Sequence, residues 1–334
     1  MPAGDIIIVL RWWGSLFLIG AAGYPLTRRL FEVGGRQGNK AHGTWERWYD
    51  GGYAFSKAIG LAVVTWFVYV LGILKLSPFT VPTIVGSVIA LFAVGLYVQR
   101  KPVLAPSRWK REFFVILGEE LFFLGALFLW AWVKAHEPSV RGLEKFMDYG
   151  FMQSILQSKY FPPADMWFPP NPINYYYFGH LATALITRLS YLDLGYTFNL
   201  MLSTIFAWSL TMSFSIGVQL MLVSPHTKSK WPVILTGGAI TAFLVTLAGN
   251  MQTIYAFTRG YTGDNVKPFW QLLWGSGEFI GKVTEGMNAY WYANATRFIP
   301  YTIHEFPSYS FVVSDVHGHV LSIPFVLVAI ALVI

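Results

Sequence analysis

Two short stretches of this chain gather groups able to do chemistry. SDVHGH, Ser314 to His319, sets an aspartate and two histidines close together. In an extended chain Asp315, His317 and His319 point to one side, as metal sites with two or three protein ligands require. In a helix Asp315 and His319 still share a face. The same groups can hold a phosphate with no metal, or Ser314 or Asp315 can cap a following helix. Glu305 lies upstream across an aromatic turn and can complete the set. PPNPINYYYFGH, Pro169 to His180, places Tyr175, Tyr176 and Tyr177 between Asn174 and His180. Tyrosine rings stack on flat faces, and their hydroxyls donate and accept hydrogen bonds. The plainer reading of the tyrosines is an aromatic belt at a membrane surface. Glu144 and Asp148 stand one helical turn apart, either as acid–base groups or as solvated charges at a helix start.

The elements that must position these residues are membrane spans. Of 334 residues, 54% are hydrophobic and 12% charged, half the charge of a soluble domain. Runs long enough to cross a bilayer are Ile6 to Tyr24, Tyr53 to Leu74, Val81 to Val98, Phe113 to Val133, Thr197 to Val223 and Val233 to Tyr255. A last run begins near His319 and is still apolar at Ile334, which predicts a natural chain that continues. No cysteine is present, so disulfides and thiolate chemistry are excluded. The net charge of +7 reads as a positive-inside bias, with no nucleic-acid partner. Glu119 and Glu120 fall inside the fourth run, where a carboxylate is costly. Arg11 or Lys57 can pair with one of them, and an interhelical structural role is expected over a proton relay.

Charge also sets the topology. The connection after the first run carries Arg28, Arg29, Arg36, Lys40 and Arg47, and the one after the third Arg100, Lys101, Arg108, Lys110 and Arg111. Both are expected in the cytoplasm. Asn174 to Leu192 is ambiguous. If it lies on or dips into the outer interface, Lys228 and Lys230 also fall inside, so it is read as an amphipathic or re-entrant element. Tyr176, His180, Thr183 and Thr187 then share one half-wet helical face. Residues 136–195 and 256–318 become outer segments, and FPPADMWFPPNP within the first an ordered extended loop.

RGLEKFMD (Arg141 to Asp148), PINYYYFGH (Pro172 to His180) and HEFPSYSFVVSDVHGHVLSIPF (His304 to Phe325) resemble the YYY-domain family of bacterial and archaeal membrane proteins. The last motif of that family usually has Gly before the Asp and Pro between the histidines; here these are Ser314 and Gly318. The arrangement is similar to the GT-C superfamily of polyprenyl-sugar-dependent glycosyltransferases. The resemblance implies an all-α, polytopic helical bundle with interfacial helices in a large first outer loop. It implies a four-helix region over 1–135 and a GT-C-like region over 136–334, in a prokaryotic plasma membrane with the site outside. The donor would be a polyprenyl-phosphate sugar and the acceptor an extracytoplasmic glycan or protein. Asp148, with Glu144, would be the base or orient the acceptor. Asn174, Tyr175, Tyr176, Tyr177, His180 and Asn250 would bind substrate, although Asn250 stands where the superfamily often has a second acid. Glu305, Asp315, His317 and His319 would bind the phosphate or a divalent metal. The alternative is a transporter or flippase-like protein for a lipid-linked glycan or small solute, with the polar outer loops as an entry gate.

Overall fold

Hydrocarbon offers no partner for a peptide N–H or C=O, so a chain this apolar must close its backbone hydrogen bonds within helices. The computed structural model describes residues 3–34, 48–99, 109–142, 144–224, 230–250, 279–297, 299–314 and 316–334. Among these it is helical, and pairing between extended segments is confined to one isolated bridge, Ala164 to Pro172. Two compact units form: Met1–Val245 with Ser314–Ile334, and Thr246–Val313.

In the first unit, α1 (Ala3–Gly34) packs on α2 (Tyr53–Ile73) and α3 (Val81–Gln99), and α4 (Trp109–Ala135) packs on α7 (Leu194–Val223). Among the described residues five segments are long and apolar enough to cross a membrane: Gly4–Glu32, Tyr53–Ile73, Val81–Gln99, Glu112–Ala135 and Leu194–Val223. These match the first five expected runs. Two apolar helices are shorter: α8 (Trp231–Thr246) and the last helix, α11 (Gly318–Val333). The expected sixth run reaches past residue 250, and its end lies outside the described residues.

α7 is the central element and is buried over most of its length. Its hydroxyls solve the polar problem locally: Ser203, Thr204, Ser209 and Thr211 donate to the carbonyls four residues back, at 2.8–2.9 Å. Asp193 caps its start by accepting from the Gly195 N–H at 2.7 Å. α1 and α2 approach through glycine. A Cβ on Gly23 would lie 2.9 Å from the Gly60 Cα, and one on Gly60 2.7 Å from the Ile19 carbonyl oxygen. Only residues without a side chain permit that approach.

Between α4 and α7 lie two short helices, α5 (Lys145–Gln157) and α6 (Phe178–Ser190), packed on each other. The proline-rich stretch joining them is ordered, as expected. The Asp165 N–H donates to the Asn171 carbonyl at 2.7 Å and the Ile173 N–H to the Pro163 carbonyl at 3.0 Å. Asp165 is committed there, its Oδ1 accepting from the Trp167 N–H at 2.8 Å. α6 has 13 residues, about 20 Å at 1.5 Å per residue, well short of a bilayer core. Its polar stripe differs from the half-wet face expected. His180, Thr183 and Thr187 are all buried, and Thr187 donates to the Thr197 hydroxyl at 2.8 Å. From His180 onward the stripe meets protein rather than water, whereas Tyr176, just before the helix, is exposed.

In the second unit, α9 (Phe279–Asn288) precedes a 3-10 turn (Tyr292–Thr296), against which α10 (Pro307–Val313) packs. The His304 N–H donates to the Thr296 carbonyl at 3.1 Å.

Candidate functional site

Glu144 marks the start of α5 without capping it by its side chain, which leaves the carboxylate free to reach outward. Its Oε2 lies 3.2 Å from His317 Nε2, and the side chain is 63% exposed. His317 precedes α11 with extended backbone. The same Nε2 lies 3.0 Å from the Tyr175 hydroxyl and 2.8 Å from that of Tyr176. The two tyrosine rings lie with centroids 3.9 Å apart, and the Tyr175 hydroxyl donates to that of Tyr176 at 2.5 Å. On its other side, His317 Nδ1 faces His319 Nδ1 at 3.3 Å, so one of those two nitrogens must carry a proton. Partial desolvation, with the neighbouring Tyr175 hydroxyl, holds the Tyr176 hydroxyl above the usual phenol range. Tyr176 therefore stays protonated and can donate.

Behind this cluster is a second layer. His180 Nε2 and Asp148 Oδ1 are 2.8 Å apart, and both side chains are 0% exposed. Phe151 separates the layers: its ring lies 5.5 Å from Tyr175 and 5.7 Å, edge-on, from His180. Asp148 Oδ2 and His180 Nδ1 are buried with no hydrogen-bond partner among the described residues. The one-turn spacing of Glu144 and Asp148 is real, but the helix start lies between an exposed and an interior environment. One acid faces out and the other in.

The three tyrosines do not form one surface. Tyr177 stands immediately before α6 and turns toward α2, where its ring meets that of Tyr69 edge-on with centroids 6.3 Å apart. Asn174 is exposed at the start of the run. Asn250 and Glu305 belong to the second unit, where Asn250 Nδ2 donates to the Ala295 carbonyl at 2.6 Å and Glu305 accepts from the Ser310 hydroxyl at 3.2 Å. Asp315 lies outside the described residues. Among the described residues no three His, Asp or Glu side chains are placed to hold a metal ion.

Sequence reasoning missed what adjoins the cluster. A cleft of about 510 Å³ runs between α6, α7 and α11, lined by Phe178, Ala182, Trp208, Leu321 and Phe325, with Tyr176 and His319 also in its wall. Its volume is that of an ordinary ligand site. Trp208 Nε1 is buried there without a hydrogen-bond partner among the described residues. Gly318 belongs to the same wall, and a Cβ on it would overlap the Tyr176 ring. Gly179 is similar, with a Cβ there 2.6 Å from Leu321 Cδ1. Glycine at 318 thus lets the histidine segment lie directly against the tyrosines.

Spans of this length, a buried polar-lined central helix and buried ion pairs define a multi-pass α-helical membrane protein, associated with the lipid bilayer. Over residues 63–334 the chain matches the model of DUF2298, an uncharacterized membrane protein family, and it belongs to that family. No curated protein and no solved structure matches it.

Proposed function

We propose that the chain is a membrane glycosyltransferase that takes its sugar from a polyprenyl-phosphate donor. The observation that carries this reading is that Tyr176 and His319 belong both to the polar cluster and to the wall of the apolar cleft. A ligand fitting both must be amphiphilic: a polar headgroup against Glu144, Tyr175, Tyr176, His317 and His319, and a hydrocarbon chain along α6 and α11. His317 and His319 supply hydrogen bonds to the phosphate, and charge when protonated, without a metal. Tyr175 and Tyr176 offer ring faces and hydroxyls to the sugar. The resemblance to the YYY-domain family and the GT-C superfamily favours a sugar phosphate as that headgroup.

Burial redistributes the carboxylate roles. Asp148 is enclosed and already bonded to His180, so it is proposed as a positioning residue behind the cluster. Glu144, exposed at the mouth, is the proposed base for the acceptor. The site faces outside on this reading. Tyr177 pairs with Tyr69 near the C-terminal end of α2, and Arg11, in the N-terminal third of α1, donates to the Ser190 and Tyr191 carbonyls beyond α6. That is the end of the bundle away from the connection bearing Arg36, Lys40 and Arg47.

The test uses the protein in lipid nanodiscs. A short-chain polyprenyl-phosphate sugar should raise its unfolding temperature, and a radiolabelled donor should transfer sugar to an added envelope-glycan acceptor. Stabilisation by the lipid without transfer, across donors and acceptors, would leave a lipid-binding protein and sink the enzyme. A transporter is the second reading. The buried Lys57–Glu120 ion pair favours it, because ionisable groups within spans accompany transport. Movement of a fluorescent lipid-linked sugar across proteoliposomes would decide for it.

A further inference from the structure

A second polar centre lies in the first unit, between α1, α2 and α4, and none of the site described above uses it. Asp50 sits in the turn before α2. Its carboxylate accepts from the Gly52 N–H at 2.7 Å and the Ala54 N–H at 3.1 Å. Glu119 projects from α4, and its Oε1 accepts from the Tyr49 hydroxyl. Both acids are buried, and Tyr49, whose hydroxyl bonds Glu119, is the chain neighbour of Asp50. Glu119 Oε2, fully enclosed, finds no N–H or hydroxyl donor among the described residues. A buried carboxylate oxygen with no donor is costly, and a proton between the two acids supplies the missing hydrogen.

We propose that Asp50 and Glu119 form a proton-binding site within the membrane domain, the two carboxyls sharing a single proton at neutral pH. The surroundings favour this over a doubly ionised pair. The nearest ammonium, Lys57, is taken by Glu120, which also accepts from the Tyr53 hydroxyl at 2.6 Å and the Trp13 indole N–H at 2.6 Å. Arg28 is taken by Glu112 at 3.2 Å and Glu32 at 3.6 Å. Tyr24 faces the site from α1 and donates to the Asp50 carbonyl at 3.1 Å. From α7 the neutral Gln219 accepts from the Tyr49 N–H. With the cations among the described residues committed elsewhere, two like charges in one buried site are disfavoured, and a shared proton removes one of them. In the same direction, burial pushes the Asp50 carboxyl above the ordinary carboxylate range. Release leaves two carboxylates in one buried site, so it must accompany entry of a cation or separation of α4 from the turn before α2.

Infrared spectroscopy of the full chain in lipid membranes reads such a proton directly, through the C=O stretch of a protonated carboxyl. At neutral pH the band should be present and shift in D₂O. Glu119→Gln and Asp50→Asn should each remove one carboxyl's intensity, because an amide then donates to the remaining carboxylate. Glu137→Gln, on an exposed loop, should leave it unchanged. Should either variant fail to fold, Glu119→Asp keeps the proton and must move the band. Absence of the band at neutral pH, or its persistence in both amide variants, overturns the proposal. So does its loss on adding sodium chloride but not choline chloride, which would make the site one for a metal cation.

Discussion

At His317 one ring nitrogen faces three oxygens, those of Tyr175, Tyr176 and Glu144, and can bond only one well at a time. Such a frustrated centre is resolved by a ligand that takes some of those partners. Glu144→Gln keeps the volume and removes the basicity. On the proposed function it should lower transfer about 10²–10⁴-fold with donor binding largely kept, which single-turnover measurement against donor titration would separate. Asp148 and His180 belong to a different experiment, since their hydrogen bond is sealed from water. A double-mutant cycle with Asp148→Asn and His180→Gln should give a coupling of about 1.5–3 kcal/mol in unfolding free energy. A coupling near zero would mean the pair is not formed. The sequence shows these residues, because polar groups stand out in an apolar chain. It does not show that Asp148 turns inward and Glu144 outward, or that Tyr177 parts from its neighbours, because those directions depend on which helix lies behind each residue.

At the scale of elements the long helices are legible for a simple reason: a bilayer demands about 20 apolar residues, whatever the rest of the fold does. Their contacts are not. Gly23 and Gly60 stand in separate runs with no GxxxG spacing to flag them, and their meaning is visible only once α1 lies on α2. A side chain forced into that contact must push two backbones apart. Gly60→Leu should destabilise the bundle by about 1–3 kcal/mol in denaturant unfolding, whereas Gly86→Leu, facing open space on α3, should be close to neutral. Equal effects of the two would mean that α1 and α2 do not pack this closely. The Asp50–Glu119 pair was hidden in a similar way. Glu119 draws attention inside a span, but its partner sits in a short turn, where an aspartate looks ordinary.

For the whole molecule, the decisive question is whether residues 174–192 cross the membrane. With α6 about 20 Å long and enclosed, we expect that they do not. Single cysteines at Leu76, Trp167 and Tyr191, all exposed, should therefore react with an impermeant reagent from the same side, and a cysteine at Asn39 from the other. Labelling of Trp167 and Tyr191 positions from opposite sides would restore a span there and reverse everything after it. The brevity and enclosure of α6 also bear on how the protein is made. A segment this short, carrying a histidine and two threonines on its inner face, gives lipid little reason to accept it alone. It can settle only after α1, α2 and α7 have assembled a lining for it, so it should be a late arrival in biogenesis. Since α6 walls the cleft and carries His180, the site is finished last. Lesions far away in the early helices should then first appear as inserted, stable protein that lacks its binding site.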